Sequence, residues 1–117
     1  MSPEEPTSYL PLKPVELLIL TVLSAGNRHG YGIRQDISEQ TDGRIEIEAG
    51  NLYRHIRALE DAELVGETAS PRSETDERRV YYRLTPLGKR VLAAEMLRLR
   101  ALVRVAEDRG IIARIRA

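Results

Sequence analysis

Arg54 and Arg57, three positions apart, are the side chains of this chain best placed to do chemistry. Advancing about 100° per residue along a helix read over residues 49–62 puts both near the centre of its outward face. Asn51, His55 and Ala58 fall at one margin of that face and Tyr53 at the other. The opposite side carries Leu52, Ile56 and Leu59 at i, i+4 and i+7, a narrow stripe that must be buried. A guanidinium is a planar fork of donors that matches paired acceptors such as O6 and N7 of guanine, and a helix about 10–12 Å across fits the major groove. These side chains therefore point to double-stranded DNA, with Arg54 reading a base and Asn51, Arg57 and His55 contacting phosphate or neighbouring bases. Tyr53 suits phosphate contact and rim packing equally well.

A second basic group follows. Arg78, Arg79, Arg83, Lys89 and Arg90 occupy one short stretch that holds no acid. Val80, Tyr82 and Leu84 alternate there with Arg79, Tyr81 and Arg83, the period-2 pattern of a strand with one buried face. Together with a strand-like segment from Leu64 to Ala69, it predicts a two-stranded hairpin whose Arg78, Arg79 and Arg83 would neutralise phosphate charge without reading sequence. The overall net charge is zero, with acids in excess up to Gly88 and bases in excess from Lys89 onward. That acidic excess is what a protein-interaction module without DNA binding would also carry, so this second reading stands beside the first.

Other chemistry is excluded by composition. The 117 residues contain no cysteine, which removes disulfides, thiolate metal sites and a cysteine nucleophile. His29 and His55 are the only histidines and lie in no metal-ligand spacing, so no metal or other cofactor is expected. Glu74, Asp76 and Glu77 sit in the polar connection 70–77, where solvation keeps carboxylates ordinary. No nucleophile–base pair or phosphate-cradling glycine loop is present, which argues against an enzyme. The acidic, proline-containing N-terminus lacks the features of a signal peptide. The longest apolar run, Val15 to Leu23, is about half the roughly 20 residues of a membrane span. A cytoplasmic protein with no membrane partner is the expectation.

The elements that must position these side chains are legible too. Pro14 opens a first helix that runs to Gly26, apolar around most of its circumference and hence central. A second spans about Tyr31 to Thr41 with Ile33 and Ile37 inward, closed by Asp42-Gly43. After the third helix and the hairpin, Thr85-Pro86 starts a long helix to about Arg109 that Gly110 breaks. Ile111, Ile112 and Ile115 beyond it would either pack back or fray. Leu92, Met96, Leu99, Val103 and Ala106 are spaced 4, 3, 4, 3 along this helix, the a/d rhythm of a helix that pairs with another. A domain this small cannot cover all of it, so a second copy is expected there. The result is a mainly α fold with a small β-hairpin: an N-terminal arm (1–13), a winged helix-turn-helix (14–85) and a C-terminal dimerisation helix (86–117).

The segments HGYGIRQDISEQTDGRIEIEAGNLYRHIRALEDAELV and ERRVYYRLTPLGKRVL resemble the PadR family of transcriptional regulators, covering residues 29–65 and 77–92. The specific part is the combination of HGYGI, NLYRHIRALE and RRVYYRLTPLG in that order. The resemblance implies a homodimer joined through its C-terminal helices, two recognition helices on a palindromic operator, and repression often relieved by a small-molecule effector or a stress signal. By the same analogy an aromatic or phenolic effector would lie in a cleft between the first and last helices, near Tyr9 or Tyr31. Three features depart from the family pattern. Glu48-Ala49 stands where such recognition helices open with serine or threonine and proline, which weakens the cap. Glu63 replaces a glycine, so a positive φ there would strain it. The tryptophans with which the best-known small members grip flat drugs are missing.

Overall fold

The computed structural model describes residues 5–71 and 79–115. Pro14, with its φ preset, starts α1 (Pro14–Ser24). Ile19, Leu20, Val22 and Leu23 of α1 are buried because α2 (Gly30–Gln40), α3 (Ala49–Asp61), α4 (Pro86–Asp108) and a small sheet all pack on it. From α2 come Ile33 and Ile37, and from α3 come Leu52, Ile56 and Leu59, so both inward stripes lie where their spacing put them.

The sheet has three strands rather than two. β1 (Arg28–His29) joins β2 (Val65–Thr68) and β3 (Tyr81–Leu84) in the antiparallel order β1-β3-β2. His29 pairs with Tyr81, and Val65 with Leu84. A two-residue strand carries no periodicity, so only its pairing with β3 reveals it. Tyr82 and Leu84 are buried as their alternation requires, but Val80 precedes the strand and stays exposed. Arg78 and the acids Glu74, Asp76 and Glu77 lie outside the described residues.

Three helices end in one geometry. The amides of Gly43, Leu64 and Ile111 reach back to the carbonyls of Ser38, Leu59 and Ala106 at 2.7, 2.9 and 2.9 Å. The residue before each amide is left-handed: Asp42 (φ 52°), Glu63 (φ 63°) and Gly110 (φ 74°). This is the Schellman ending, which glycine fits without strain and glutamate does not. Glu63 thus has the strained positive φ that its departure from the family pattern foretells. The α3 N-terminus is correspondingly plain, since Glu48 makes no side-chain cap.

The exit of α3 and the entry of α4 are fastened together at Thr85. Its hydroxyl accepts from the Gly88 amide at 2.9 Å and donates to the Glu63 carbonyl at 2.7 Å, and its own amide donates to the Leu64 carbonyl at 3.1 Å. Gly88 must be glycine for space, because a Cβ there would stand 2.1 Å from the Leu64 oxygen.

The two halves of α4 differ in cover. Gly88, Val91, Leu92 and Glu95 of the first half are buried. Part of the cover comes from a 3-10 turn, Pro6–Tyr9, which packs on α4. Glu95, only 1% exposed, accepts from the Leu12 amide at 2.8 Å and from Arg98 Nε at 2.5 Å. The Arg98 hydrogen bond, helped by the Leu12 amide, holds its carboxyl below the usual range although burial pushes the other way. The second half projects beyond the domain. The radius of gyration is 15.9 Å, against about 13 Å for a compact chain of this length. Ile111, Ile112 and Ile115 do not pack back; all three are exposed. No helix among the described residues is long and apolar enough to cross a membrane.

Candidate nucleic-acid interface

The outward face of α3 has the composition its spacing indicates. Arg54 and Arg57 are exposed, and Asn51 is half-buried beside them. Arg54 Nη2 donates to Asn51 Oδ1 one turn earlier, which orders the guanidinium at the first turn of the helix. Arg34 of α2 donates from Nε to the Ile47 carbonyl at 2.7 Å and fastens the loop that delivers α3. Arg57 stands among acids: burial and the neighbouring Glu67 and Asp61 raise the Glu60 carboxyl, while Arg57 lowers it.

His55 does not share that face. Its Nδ1 lies 2.8 Å from Glu16 Oε2, and the side chain is 16% exposed, turned inward between α3 and α1. A carboxylate only accepts, so His55 carries its proton on Nδ1 and ties the two helices together. Glu16 is 39 residues away in sequence, and helical phase alone cannot announce such a partner. Tyr53 is 41% exposed, yet its hydroxyl packs over Gly30, where a Cβ would come within 2.3 Å of the phenol oxygen.

On the sheet, Arg83 is exposed and lies across its register partner Gly66, with Nη2 3.1 Å from where a Cβ would stand. Arg79 is exposed and places Nη1 2.8 Å from His29 Nε2. Tyr82 is core; burial, with Tyr53, Glu60 and Glu67 nearby, pushes its phenol up to about 12. In the sequence His29 stands outside any metal-ligand spacing and has no role beyond its place in HGYGI. Here its Nδ1 caps α2, accepting from the Gly32 amide at 3.0 Å, and its ring meets Tyr31 and Tyr81. The helix starts at Gly30, one residue ahead of the expected Tyr31, and a side-chain acceptor just before that start is the signal that would have found the cap.

On α4, Leu92 belongs to the chain's own core, whereas Met96 and Val103 are exposed and Leu99 and Ala106 half-buried. Leu97, Leu102 and Val105 add to the apolar surface. Ser24, Leu84, Lys89, Leu92, Ala93 and Met96 line an apolar groove of about 340 Å³ beside α4. Neither tyrosine expected near an effector cleft lines this groove: Tyr9 packs against the core, and Tyr31 lines a cavity with His29 and Arg79.

Comparison with known proteins agrees with this architecture. The Transcriptional regulator PadR-like family matches residues 19–94. An uncharacterised protein of Lysinibacillus sphaericus is 33% identical over 79 residues, 68% of this chain and 72% of that one. A PadR family transcription regulator from Clostridium difficile superposes with a TM-score of 0.72 at 24% identity, covering 82% of this chain and 97% of the other. Bacillus subtilis PadR in complex with operator DNA gives 0.62 at 22% identity, covering 74% and 48%. The structural likenesses share the fold, and the family match extends over well more than half of the sequence. The chain belongs to the PadR-like family of transcriptional regulators.

Proposed function

We propose that the protein is a sequence-specific DNA-binding repressor acting as a homodimer on a palindromic operator. The observation that carries this reading is what the exposed surfaces hold: arginines without large aliphatic residues on α3, and a run of large apolar residues among the arginines of the outer half of α4. In this reading residues 14–85 bind DNA and 86–117 pair with a second copy, with the Pro6–Tyr9 turn of the arm 1–13 packed on α4. Arg54 reads a base edge in the major groove; Asn51, Tyr53 and Arg57 contact phosphate or adjacent bases; Arg78, Arg79 and Arg83 follow the backbone. Met96, Leu99, Val103 and Ala106 continue the stripe that Leu92 begins inside the core. That Bacillus subtilis PadR, which shares the fold, is found in complex with operator DNA supports the DNA-binding reading. Relief by a small-molecule effector is the regulation we propose, with the groove beside α4 as its candidate seat.

Selection of bound duplexes from a random pool tests the proposal. We expect two inverted half-sites whose centres lie about 10 bp apart or a multiple of that. Recovery of no duplex above a scrambled control at low salt would overturn DNA binding in favour of a protein-interaction module.

A further inference from the structure

Beyond α4 the chain turns back and is fastened. Left-handed Gly110 returns the Ile111 amide to the Ala106 carbonyl at 2.9 Å. Arg114 Nη2 then donates to Asp108 Oδ1 at 2.6 Å, and the Ile115 amide donates to Glu107 Oε2 at 2.7 Å. Residues 110–115 thus form a hook tied to the last turn of their own helix. It carries Ile111, Ile112 and Ile115, none of them covered, with Ile111 and Ile115 at 71% and 79% exposure. Three isoleucines held together in water mark a surface that a partner covers.

The apolar groove beside the first half of α4, lined by Ser24, Leu84, Lys89, Leu92, Ala93 and Met96, is the matching hollow. A hook cannot reach the groove of its own chain. The rise from Leu92 to Gly110 is about 27 Å at 1.5 Å per residue, and the Glu107 bond keeps Ile115 at the far end. Two copies of α4 running antiparallel remove the difficulty. Facing the exposed part of the stripe with itself sets Leu99 against the partner's Val103 and Met96 against the partner's Ala106. One layer further, the partner's Gly110 comes level with Leu92, and the hook that follows falls on the groove. A parallel pair would lay the two hooks side by side and leave both grooves open.

We infer that the isoleucine hook of each copy seats in the apolar groove of the other, closing an antiparallel α4 pair at both ends. This rests on the homodimer proposed above and specifies how it closes. A small-molecule effector entering the same groove would act by displacing the hook.

The absence of native cysteine makes engineered cross-links unambiguous. Chains carrying Ala93→Cys, mixed and exchanged with chains carrying Ile112→Cys and then mildly oxidised, should yield a covalent dimer about tenfold above either variant alone on a non-reducing gel. Self-linking of Ile112→Cys at the yield of the mixture would put the hooks side by side and overturn the inference. Replacing Ile111, Ile112 and Ile115 together by serine should weaken the dimer about 100-fold by sedimentation equilibrium. Helicity of the separated chains should persist, since none of the three is buried within its own chain. An unchanged dissociation constant would overturn the seating of the hook and leave the homodimer standing. Wild-type protein that stays monomeric at every concentration would sink the parent reading instead, and this one with it.

Discussion

α3 and the outer half of α4 are both solvent-facing helix surfaces that expose arginines, but only the second also exposes a run of large apolar side chains. α3 buries every large aliphatic residue it has and presents Arg54, Arg57 and half-buried Asn51. Beyond Glu95, α4 buries none and leaves Met96, Leu97, Leu102, Val103 and Val105 exposed. A domain of this size gains by hiding apolar surface wherever it can, so α3 is finished within one chain and α4 is not. The first surface suits a polyanion, the second another copy of itself.

The sharpest way to break this contrast is Val103→Glu, a charge placed on the exposed stripe. We expect a monomer by sedimentation, with helical circular dichroism retained and operator affinity reduced by more than about 100-fold, since two half-sites no longer act together. An unchanged dimer would remove α4 from the interface. Arg54→Ala acts on the other surface. It should cost about 1–3 kcal/mol on the selected duplex, compressing the preference over scrambled DNA and leaving the dimer intact. Equal losses on both duplexes would count against base reading.

Glu95→Gln addresses the clasp that finishes the first half of α4. Because the native carboxyl is held low, chiefly by Arg98, its stabilising contribution is present above the ordinary glutamate range and is lost as the pH falls through the lowered native value. The variant should lose about 1–2 kcal/mol at neutral pH, and its stability should fall less steeply than wild type on acidification. Parallel acid profiles would show that the clasp contributes nothing. The smallest effect is expected from Glu63→Gly at the strained end of α3. Relief of the left-handed glutamate should add up to about 1 kcal/mol, a rise of about 4 °C in melting temperature, without altering duplex preference.

Local rules were enough for much of this. Helical phase separated Leu52, Ile56 and Leu59 from Arg54 and Arg57, and proline and threonine placed the starts of α1 and α4; the strain at Glu63 was legible only against the family pattern, which has glycine there. What stayed hidden depends on groups far apart in the chain. Glu95 is buried because an amide 83 residues earlier meets it. His55 leaves the outward face because Glu16 draws it in, and β1 exists only as a neighbour of β3. Leu92 obeys the heptad rhythm, yet the domain's own core absorbs it. A period along the chain reports which face is apolar, not which molecule will cover it.

The Thr85 junction has a geometric consequence. Glu63, Leu64, Thr85 and Gly88 join α3 to α4 through two hydrogen bonds, braced by the Thr85 cap on Gly88, and one contact without room for a methyl group. Such a joint transmits rotation instead of absorbing it, so α4 behaves as a lever arm fixed to α3, the reading head in the proposed function. If two copies cross along their final helices, the angle of that crossing sets how far apart, and at what pitch, their reading heads meet the duplex. In the proposed function, operator spacing is then encoded in the packing of this junction rather than in the arginines of α3.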